Sequence, residues 1–348
     1  MLPCMKTFVP QTQKAVLFWW QDNGRILPWR EKVGVPQTGN AAEQNVHEAV
    51  LQVRERIFAT YLATEFVRDP YRVVVAELML QQTQVDRVLP KYLAWMKKWP
   101  TVHDLAAASF SDVLIEWQGL GYNRRARFLW LMAKEVAGPL AGKWPLTEGA
   151  LRQLPGVGQY TARAVMAFAQ GAQVAVVDTN IARILQRWEG RSDVRPKEVW
   201  DLAADWLPPG QADPWNQALM DFGALICTAR QPKCHLCPVQ QLCKANTQAR
   251  RQGEKSFSDT LKNLQTAKKN SENETRAKVP FKQTDRYFRG RIVDYLRAHS
   301  QVLTQNLLDY LQNDCGLGDA DRGVRLLAKL SAEKLIAETR LGWQLCVE

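Results

Sequence analysis

Four cysteines lie within one short segment of this 348-residue chain, while only Cys4, Cys315 and Cys346 occur elsewhere. The four are Cys227, Cys234, Cys237 and Cys243, with the spacing C-x6-C-x2-C-x5-C. Structural zinc sites usually have two tight pairs separated by a longer loop, whereas thiolates also hold 4Fe-4S clusters. The spacing favours a 4Fe-4S cluster over zinc, and either metal centre over four unligated buried thiols.

Glu77 lies in the aliphatic stretch "VVVAELMLQQTQ", where a helix that faces a core would ordinarily carry another apolar residue. Burial of an unpartnered carboxylate costs several kcal/mol, or it raises the pKa until the group is neutral. A neutral carboxyl can act as a general acid. The alternative is a glutamate at the edge of the apolar stripe that reaches solvent.

Asp178 precedes a helix that carries Ile181, Ile184 and Leu185 on one face. Aspartate is a common N-cap, so capping alone would explain the residue. A cap would also fix the carboxylate in place, so capping and a chemical role are compatible.

The segment "LPGVGQYTARAVMAFA" has a Pro-Gly-Val-Gly turn that leads directly into an amphipathic helix. Gly156 and Gly158 let the backbone approach a ligand closely, and the amides at a helix start suit a phosphate. An ordinary interhelical turn is the alternative. The formal charge of +11 and the pI near 9.4 favour a DNA phosphate.

Amphipathic helical runs separated by Gly or Pro extend from Tyr71 to about Trp188, which predicts an all-α core. We predict a main domain at 1–243, a basic polar linker at 244–284 and a small, mostly helical, winged-helix-like domain at 285–348. The N-terminus has no secretory pattern, and no stretch approaches the roughly 18 apolar residues of a membrane helix. We therefore expect a cytoplasmic, nucleoid-associated monomer with no membrane contact.

Several motifs, in this order, resemble the MutY-type adenine DNA glycosylases of the helix-hairpin-helix superfamily. They are "FWWQDNGRILPWR", "PYRVVVAELMLQQTQV", "GLGYNRRAR", "LPGVGQYTA", "VVDTN", "NQALMDFGALIC" and the cysteine loop. The resemblance runs from Pro70 to Cys243 and resumes upstream of a segment, 31–69, that looks inserted. It implies two helical lobes and a 4Fe-4S cluster held by the four cysteines.

The resemblance also implies roles for individual residues. Glu77 matches the catalytic glutamate that protonates adenine, and Asp178 matches the aspartate that faces the sugar. Tyr160 and Asn180 match residues that assist them. The positions that match the adenine pocket are Trp29, Arg30, Leu80 and Gln217, and those that fill the duplex or contact the opposite base are Gln82 and Tyr122. For Trp29 and Leu80 a place in the core remains the alternative, as does a solvated helix position for Gln82.

The activity implied is removal of adenine opposite 8-oxoguanine or guanine in double-stranded DNA. Relatives that also cut the strand carry a lysine where this chain has Tyr160, so we expect a monofunctional enzyme. The alternatives are a thymine-mismatch glycosylase of the same superfamily and an inactive DNA-binding relative. Thymine lacks a nitrogen equivalent to adenine N7, so Glu77 fits a purine better.

Two features depart from the family pattern. The sequence reads Asp178-Thr179-Asn180 where the family usually has glycine in the middle, so the turn loses glycine's freedom. The usual Nudix-like C-terminal domain and its Phe-Ser-His signature are replaced by a shorter, mostly helical tail. We expect weaker discrimination of 8-oxoguanine from guanine, and duplex affinity supplied by Arg286, Arg289 and Arg291.

Overall fold

The computed structural model describes residues 5–30, 68–191, 194–257 and 279–347, and these ranges fold almost entirely as helices. The all-α prediction for the core is confirmed. All but the last two positions of the predicted insertion at 31–69 lie outside the described residues. None of the helices in the described ranges is both long enough and apolar enough to cross a membrane.

The N-terminal half of the described chain consists mainly of amphipathic helices. In chain order the elements are α1 (Met5–Asn23), the 3-10 turn η1 (Pro28–Arg30), α2 (Pro70–Leu80), α3 (Val85–Lys98), α4 (Val102–Ala107), α5 (Phe110–Glu116), α6 (Arg124–Ala137), α7 (Glu148–Leu151) and α8 (Gln159–Phe168).

The remaining elements carry the cysteine loop and the C-terminal module. They are α9 (Thr179–Glu189), α10 (Pro196–Asp205), α11 (Ala212–Leu225), η2 (Cys234–Leu236), α12 (Lys244–Arg251), η3 (Phe281–Gln283), α13 (Asp285–Ala298), α14 (Thr304–Asn313), α15 (Ala320–Ala332), β1 (Ile336–Thr339) and β2 (Gly342–Leu345).

The chain divides into two compact units, and neither is continuous in sequence. Unit 1 contains the described residues of 1–73, 146–149 and 158–275, and unit 2 contains those of 74–145, 150–157 and 276–348. The C-terminal module therefore shares a compact unit with helices α3–α6.

The core of unit 1 is built on tryptophans from α1, α9, α10 and α11. Ile181, Ile184, Leu185 and Trp188 recur at helical spacing along α9, and all four are buried. The Trp188 ring lies 5.0 Å from the ring that follows α10, at Trp206. This apolar face fixes α9, and the N-terminus of α9 in turn positions Asp178.

The core of unit 2 surrounds buried tryptophans on α3 and α6 and at the end of α5. The Trp95 and Trp117 rings are 5.7 Å apart and almost perpendicular. Thr101 begins α4 with a capping box: its side chain accepts from the Asp104 amide, and the Asp104 carboxylate accepts from the Thr101 amide. These helices support the loops that precede α3 and α6.

The structure differs from the predicted linker at its start, because residues 244–251 form helix α12. Ala245, Asn246 and Ala249 are buried, and Lys244 Nζ lies 2.5 Å from the Glu189 carboxylate at the end of α9. The segment reads as solvated because its other residues are basic or polar. Its small buried face consists of alanines and one asparagine, which hydropathy does not reveal.

The C-terminal module has three helices followed by an antiparallel hairpin, as the winged-helix-like prediction requires. Strands β1 and β2 pair with Ile336 opposite Leu345, and Val302 bridges to Trp343. Helix α15 ends at Ala332, and Lys334 then adopts a positive φ of 53°. That turn reverses the chain and makes the following residues a strand.

Candidate active site

Asp178 caps helix α9 in unit 1, as expected. Its Oδ1 accepts from the Ile181 amide at 2.7 Å, and its Oδ2 accepts from Asn180 Nδ2 at 2.8 Å. The side chain is partly buried. Both carboxylate oxygens therefore have fixed directions before any substrate binds, which is a property required of a group that stabilises developing charge.

A chain of hydrogen bonds connects Asp178 to the first cysteine. Arg183 Nη2 donates to Asn180 Oδ1 at 2.8 Å, and Arg183 Nε donates to the Cys227 carbonyl at 3.0 Å. Asn180 is thus held from both sides, by Asp178 and by Arg183. Burial lowers the pKa of Arg183, while the Cys227 thiol acts in the opposite direction.

Gly223 on α11 allows a close approach to Asn180. A Cβ at Gly223 would lie 2.6 Å from Asn180 Cβ, a separation that real side chains do not adopt. The glycine is therefore required by packing, and a larger residue would displace the amide that orients Asp178.

Thr179 occupies the place of the family's usual glycine without strain. The non-glycine residues with positive φ in the described part of the chain are Gln82, Tyr122, Ala141 and Lys334, and Thr179 is not among them. Thr179 begins α9, so its backbone is helical. The expected loss of glycine freedom has no backbone consequence here.

The four cysteines of the loop line one cavity together with Arg187 and Phe222. In the described ranges, no three His, Cys, Asp or Glu side chains are close enough to hold a single metal ion. Thiolates around one zinc ion lie about 4 Å apart, since each Zn–S bond is about 2.3 Å, whereas a cubane cluster spreads its ligands farther. The four cysteines that line one cavity are a set of thiol ligands suited to a metal centre.

The surroundings of the cavity suit thiolates only when a cationic centre is present. Burial raises the pKa of the Cys243 thiol to about 11 and raises that of Cys237 further. Arg187 Nη1 lies 3.3 Å from Cys227 Sγ and also donates to the Thr228 carbonyl at 2.8 Å. Arg187 thus places a positive charge beside a ligand and fixes the loop.

Trp29 and Arg30 form a short 3-10 turn whose side chains are both buried. The two Nη atoms of Arg30 donate to Asp221 at 2.7 and 2.9 Å, and Trp20 Nε1 donates to the same carboxylate at 2.9 Å. Burial raises the pKa of Asp221, but Arg30 and Arg25 outweigh it and lower the pKa to about 2. The guanidinium of Arg30 is thus an anchor for the turn that carries Trp29.

Gln217 and Tyr160 are the other predicted site residues of unit 1. Gln217 is buried on α11, with 5% of its surface exposed. Tyr160 is partly buried in the first turn of α8. A buried amide on a rigid helix suits recognition of a base edge, and neither position is a freely solvated one.

Glu77 is buried in α2, with 7% of its surface exposed, so it does not lie at a solvent edge. Every residue from 73 to 79 on this helix is buried. Leu80 ends the helix and is partly buried. The sequence predicted this arrangement, in which a buried carboxyl group lies on an otherwise aliphatic helix.

Gln82 and Tyr122 meet in unit 2 on two strained loops. The Tyr122 hydroxyl donates to Gln82 Oε1. The backbone φ values are 54° and 47°, in the left-handed region that residues with side chains rarely adopt. Gln82 is exposed, and 38% of Tyr122 is exposed. Such strain persists only where the surroundings impose it, and it clusters at functional sites.

Arg125 imposes part of this geometry, and sequence reasoning missed it. The buried guanidinium donates to carbonyls at the end of α2 and in the loop before α6, including those of Gln81 at 2.6 Å and Leu120 at 2.9 Å. Burial lowers its pKa to about 10. The residue lies inside the quoted motif "GLGYNRRAR", but a basic side chain gives no sequence signal of burial.

The two glycines of the hairpin differ in what requires them. Gly156 has φ +76°, and a Cβ there would lie 2.6 Å from Phe128 Cβ, so its own unit demands glycine. Gly158 caps α8 with φ −88°, and a Cβ there would meet nothing within 4 Å. Neither backbone conformation nor packing requires glycine at 158, and the space beside it is open to a ligand.

Two family models match parts of this chain. Residues 75–209 match the model of the HhH-GPD superfamily base excision DNA repair proteins, and residues 227–243 match the iron-sulfur binding domain of endonuclease III. The adenine DNA glycosylase of Mycobacterium tuberculosis is 34% identical over 330 residues, which cover 93% of this chain and 90% of that protein. The chain belongs to the adenine DNA glycosylase family.

Family members differ in length from this chain. The Mycolicibacterium smegmatis member is 36% identical over 78% of this chain and 86% of its own length. The human member is 38% identical over 66% of this chain but only 38% of its own length. This chain thus spans less than half of the human family member.

The comparisons also address the cofactor and the fold. The iron-sulfur match coincides with the cysteine loop, which confirms the predicted 4Fe-4S cluster over zinc. A solved structure described as a thermostable thymine-DNA glycosylase has a TM-score of 0.57 at 28% identity, covering 70% of this chain and 99% of that one. The predicted helix-hairpin-helix glycosylase fold is confirmed.

Proposed function

We propose that this protein removes adenine mispaired with 8-oxoguanine or guanine from double-stranded DNA by hydrolysing the N-glycosidic bond. The observation that carries the proposal is a pair of carboxyl groups in contrasting environments, in a chain of the adenine DNA glycosylase family. Glu77 is buried on an aliphatic helix, and Asp178 is held by hydrogen bonds at a helix N-terminus. Contrasting environments of this kind separate an acid from an ionised carboxylate.

Glu77 acts as the general acid in this proposal. Its buried position on an otherwise aliphatic helix suits a carboxyl group that donates a proton to the base. Adenine becomes a good leaving group once its ring is protonated, and the base must first leave the helix stack to reach the site. Trp29, Leu80 and Gln217 are the residues we propose to receive the flipped base.

Asp178 stabilises the positive charge that develops on the deoxyribose as the bond breaks. The geometry is set in advance by the Ile181 amide and by Asn180, so the protein need not reorganise during the reaction. Arg183 fixes Asn180. Arg30 contributes indirectly, because its contact with Asp221 positions the turn that carries Trp29.

Duplex DNA is the partner that the remaining residues support. Gly158 offers open space beside the first-turn amides of α8, which suits a phosphate. Gly156 shapes the same turn. Gln82 and Tyr122 are exposed at loop tips, where we propose that they fill the duplex and contact the base opposite adenine. We further propose that the protein acts as a monomer, in the cytoplasm at the nucleoid.

The 4Fe-4S cluster would be held by Cys227, Cys234, Cys237 and Cys243, and would lock the loop that follows α11. The protein residues do the remaining work there: Arg187 binds the loop carbonyls, and Arg183 ties Cys227 to Asn180. We expect loss of the cluster to reduce activity by disordering this support.

We propose that the enzyme is monofunctional. A phenol cannot form an imine with the sugar aldehyde, and Tyr160 stands where a lysine would be needed. Borohydride treatment during turnover should therefore trap no covalent complex with DNA. A complex that forms at a rate comparable to adenine release would refute this part of the proposal.

The solved thymine-DNA glycosylase of similar fold keeps a thymine-mismatch activity open as a second candidate. The two are separated by single-turnover release of adenine from A:G and A:8-oxoguanine duplexes and of thymine from T:G duplexes. We expect adenine release alone. Release of thymine alone would favour the second candidate, and binding without release of either base would indicate a DNA-binding relative.

A further inference from the structure

The C-terminal module and the loops that carry Gln82 and Tyr122 enclose a cavity of about 1160 Å³ within unit 2. Its charged lining is mostly cationic, which suits a polyanion or an electron-rich base edge. The arginines that line it are Arg87, Arg124, Arg125, Arg286, Arg289 and Arg291, and the acidic residues are Asp294 and Glu333.

The module is docked firmly enough to act on these loops. Arg297 on α13 donates to the Leu114 carbonyl at 2.9 Å and to Asn123 Oδ1 at 3.2 Å, and its side chain is 6% exposed. The Phe110 amide donates to the Val347 carbonyl at 3.1 Å. These contacts fix α13 next to the loop that precedes α6.

The arginines of α13 differ in what they contact. Arg289 forms an ion pair with Glu333 at 2.6 Å, and Arg291 donates to the Tyr310 hydroxyl. Both are used within the module. Arg286 instead places its guanidinium over the Tyr122 ring, 3.9 Å from the centroid. No ion pair or hydrogen bond joins Arg286 to another residue in the described part of the chain.

The stacked ring belongs to the strained pair. Tyr122 holds Gln82 through its hydroxyl, and both residues have left-handed backbone conformations that need external support. Arg125, on α6 of the same unit, supports the backbone of these two loops, and its guanidinium lies 5.5 Å from the Tyr122 ring centroid. Arg286 supports the side chain from the module, so two elements distant in sequence together hold one aromatic ring.

The fixed hydroxyl gives the Gln82 amide a defined position. In this structure Gln82 Oε1 accepts from Tyr122, which leaves the amide nitrogen as the donor of the side chain. A donor held at one place distinguishes bases by the acceptors that they present. A mobile tyrosine would free the amide to move, and this distinction would weaken.

We propose that Arg286 is a positioning residue that sets the preference for the base opposite adenine, by holding Tyr122 and through it Gln82. The inference rests on the proposed function. It differs from the expectation that the tail supplies affinity through phosphate contacts, because it assigns Arg286 to an aromatic contact that affects which base is favoured.

The test compares Arg286→Ala, Arg286→Lys and the control Arg340→Ala. Arg340 is exposed in the turn between β1 and β2 of the same module, so its removal takes away the same charge without touching Tyr122. Each variant is made with native Glu77 and with Glu77→Gln. With native Glu77, single-turnover adenine release is measured. With Glu77→Gln, duplex binding is measured as a function of salt concentration. Both measurements use duplexes with adenine opposite 8-oxoguanine and opposite guanine.

Arg286→Ala should reduce the preference between the two opposite bases about twofold to fivefold, the range that an exposed cation–π contact supplies. The salt slope of binding should stay unchanged, Arg286→Lys should recover part of the preference, and Arg340→Ala should leave it intact. A uniform loss of binding with a shallower salt slope would instead make Arg286 a phosphate contact and overturn the proposal. An unchanged preference in Arg286→Ala would also overturn it.

The two backgrounds separate this inference from the proposed function. If the native chain releases no adenine from any duplex, the proposed function fails. The binding preference in the Glu77→Gln background would still report on Arg286, so each result has one meaning.

Discussion

The two units hold their functional residues in opposite ways. In unit 1, Asp178, Asn180 and Arg30 are tied by hydrogen bonds and ion pairs whose partners are fully specified. In unit 2, Gln82 and Tyr122 lie exposed on strained loops and depend on neighbouring arginines for support. Under the proposed function, the groups assigned to the chemistry are fixed by hydrogen-bond networks, while the groups assigned to reading the duplex are exposed.

Glu77 is the exception within unit 2, because it is buried although it lies only a few residues from Gln82. The end of α2 therefore separates the proposed acid from the proposed duplex-reading residue by little more than one turn. Arg125 makes this possible, because it binds the carbonyls that the helix end leaves unsatisfied.

The largest effect should come from Glu77→Gln. Loss of the general acid should reduce single-turnover adenine release by about 10³-fold, within the range of about 10² to 10⁴ typical of such groups. Duplex binding should be retained, because the change preserves size and removes a charge only when the carboxyl is ionised. The matched control is Glu135→Gln, at an exposed position on α6; equal rates for the two variants would contradict the assignment.

Asp221→Asn tests whether the ion-pair network holds unit 1 together. Loss of the Asp221 negative charge leaves Arg30 buried without a counter-charge, which should destabilise the protein by about 3–5 kcal/mol. Because the native pKa of about 2 is below the ordinary 3.8, the ionised group stabilises the fold above about pH 4. That contribution is lost as the pH falls from about 4 to about 2.

The measurement is denaturant unfolding of the native chain and of Asp221→Asn at several pH values, followed by tryptophan fluorescence. The difference in free energy of unfolding between the native chain and Asp221→Asn should become smaller below pH 4. Asp205→Asn, a substitution at an exposed position on α10, controls for the effect of low pH on the stability of the whole protein. A stability difference between the two proteins that does not change with pH would contradict a stabilising ion pair between Arg30 and ionised Asp221.

Asp178→Asn separates capping from chemistry. Asparagine caps helices as well as aspartate does, so the melting temperature should change little. Adenine release should decrease by about 10²- to 10³-fold, because the negative charge that faces the sugar is lost. The rate of adenine release and the melting curve are measured on the same variant. A rate that falls only as much as the folded fraction falls would show that Asp178 acts only as a helix cap.

Gly223→Ala should have the smallest effect of the four. The new methyl group would displace Asn180, and a misplacement of about 1 Å costs roughly a hundredfold in rate, so a smaller shift should cost about tenfold. The control is Gly149→Ala, because a Cβ at Gly149 meets nothing within 4 Å. Identical single-turnover rates for both variants would show that Asn180 has no positioning role.

Sequence reasoning identified the residues whose local pattern is informative. The cap at Asp178, the buried Glu77 and the cysteine loop all follow from neighbours close in the chain, and the structure agrees with each. The support of these residues was not predictable in the same way. Arg125 and Arg183 are basic residues in basic segments, and their partial or full burial depends on carbonyls brought in by folding.

The C-terminal module shows the same limit on a larger scale. Its mostly helical character follows from the sequence, but its place in one unit with α3–α6 does not. The stacking of Arg286 on Tyr122 joins segments far apart in sequence, and no local pattern signals it.

The most direct test of the account is single-turnover base release by the cluster-loaded chain from duplexes that pair adenine with 8-oxoguanine, guanine, cytosine or thymine, beside a T:G duplex. We predict adenine release opposite 8-oxoguanine and guanine, and no thymine release from the T:G duplex. No adenine release from any duplex, or release of thymine alone, would contradict the assignment of Glu77 and Asp178 to adenine excision.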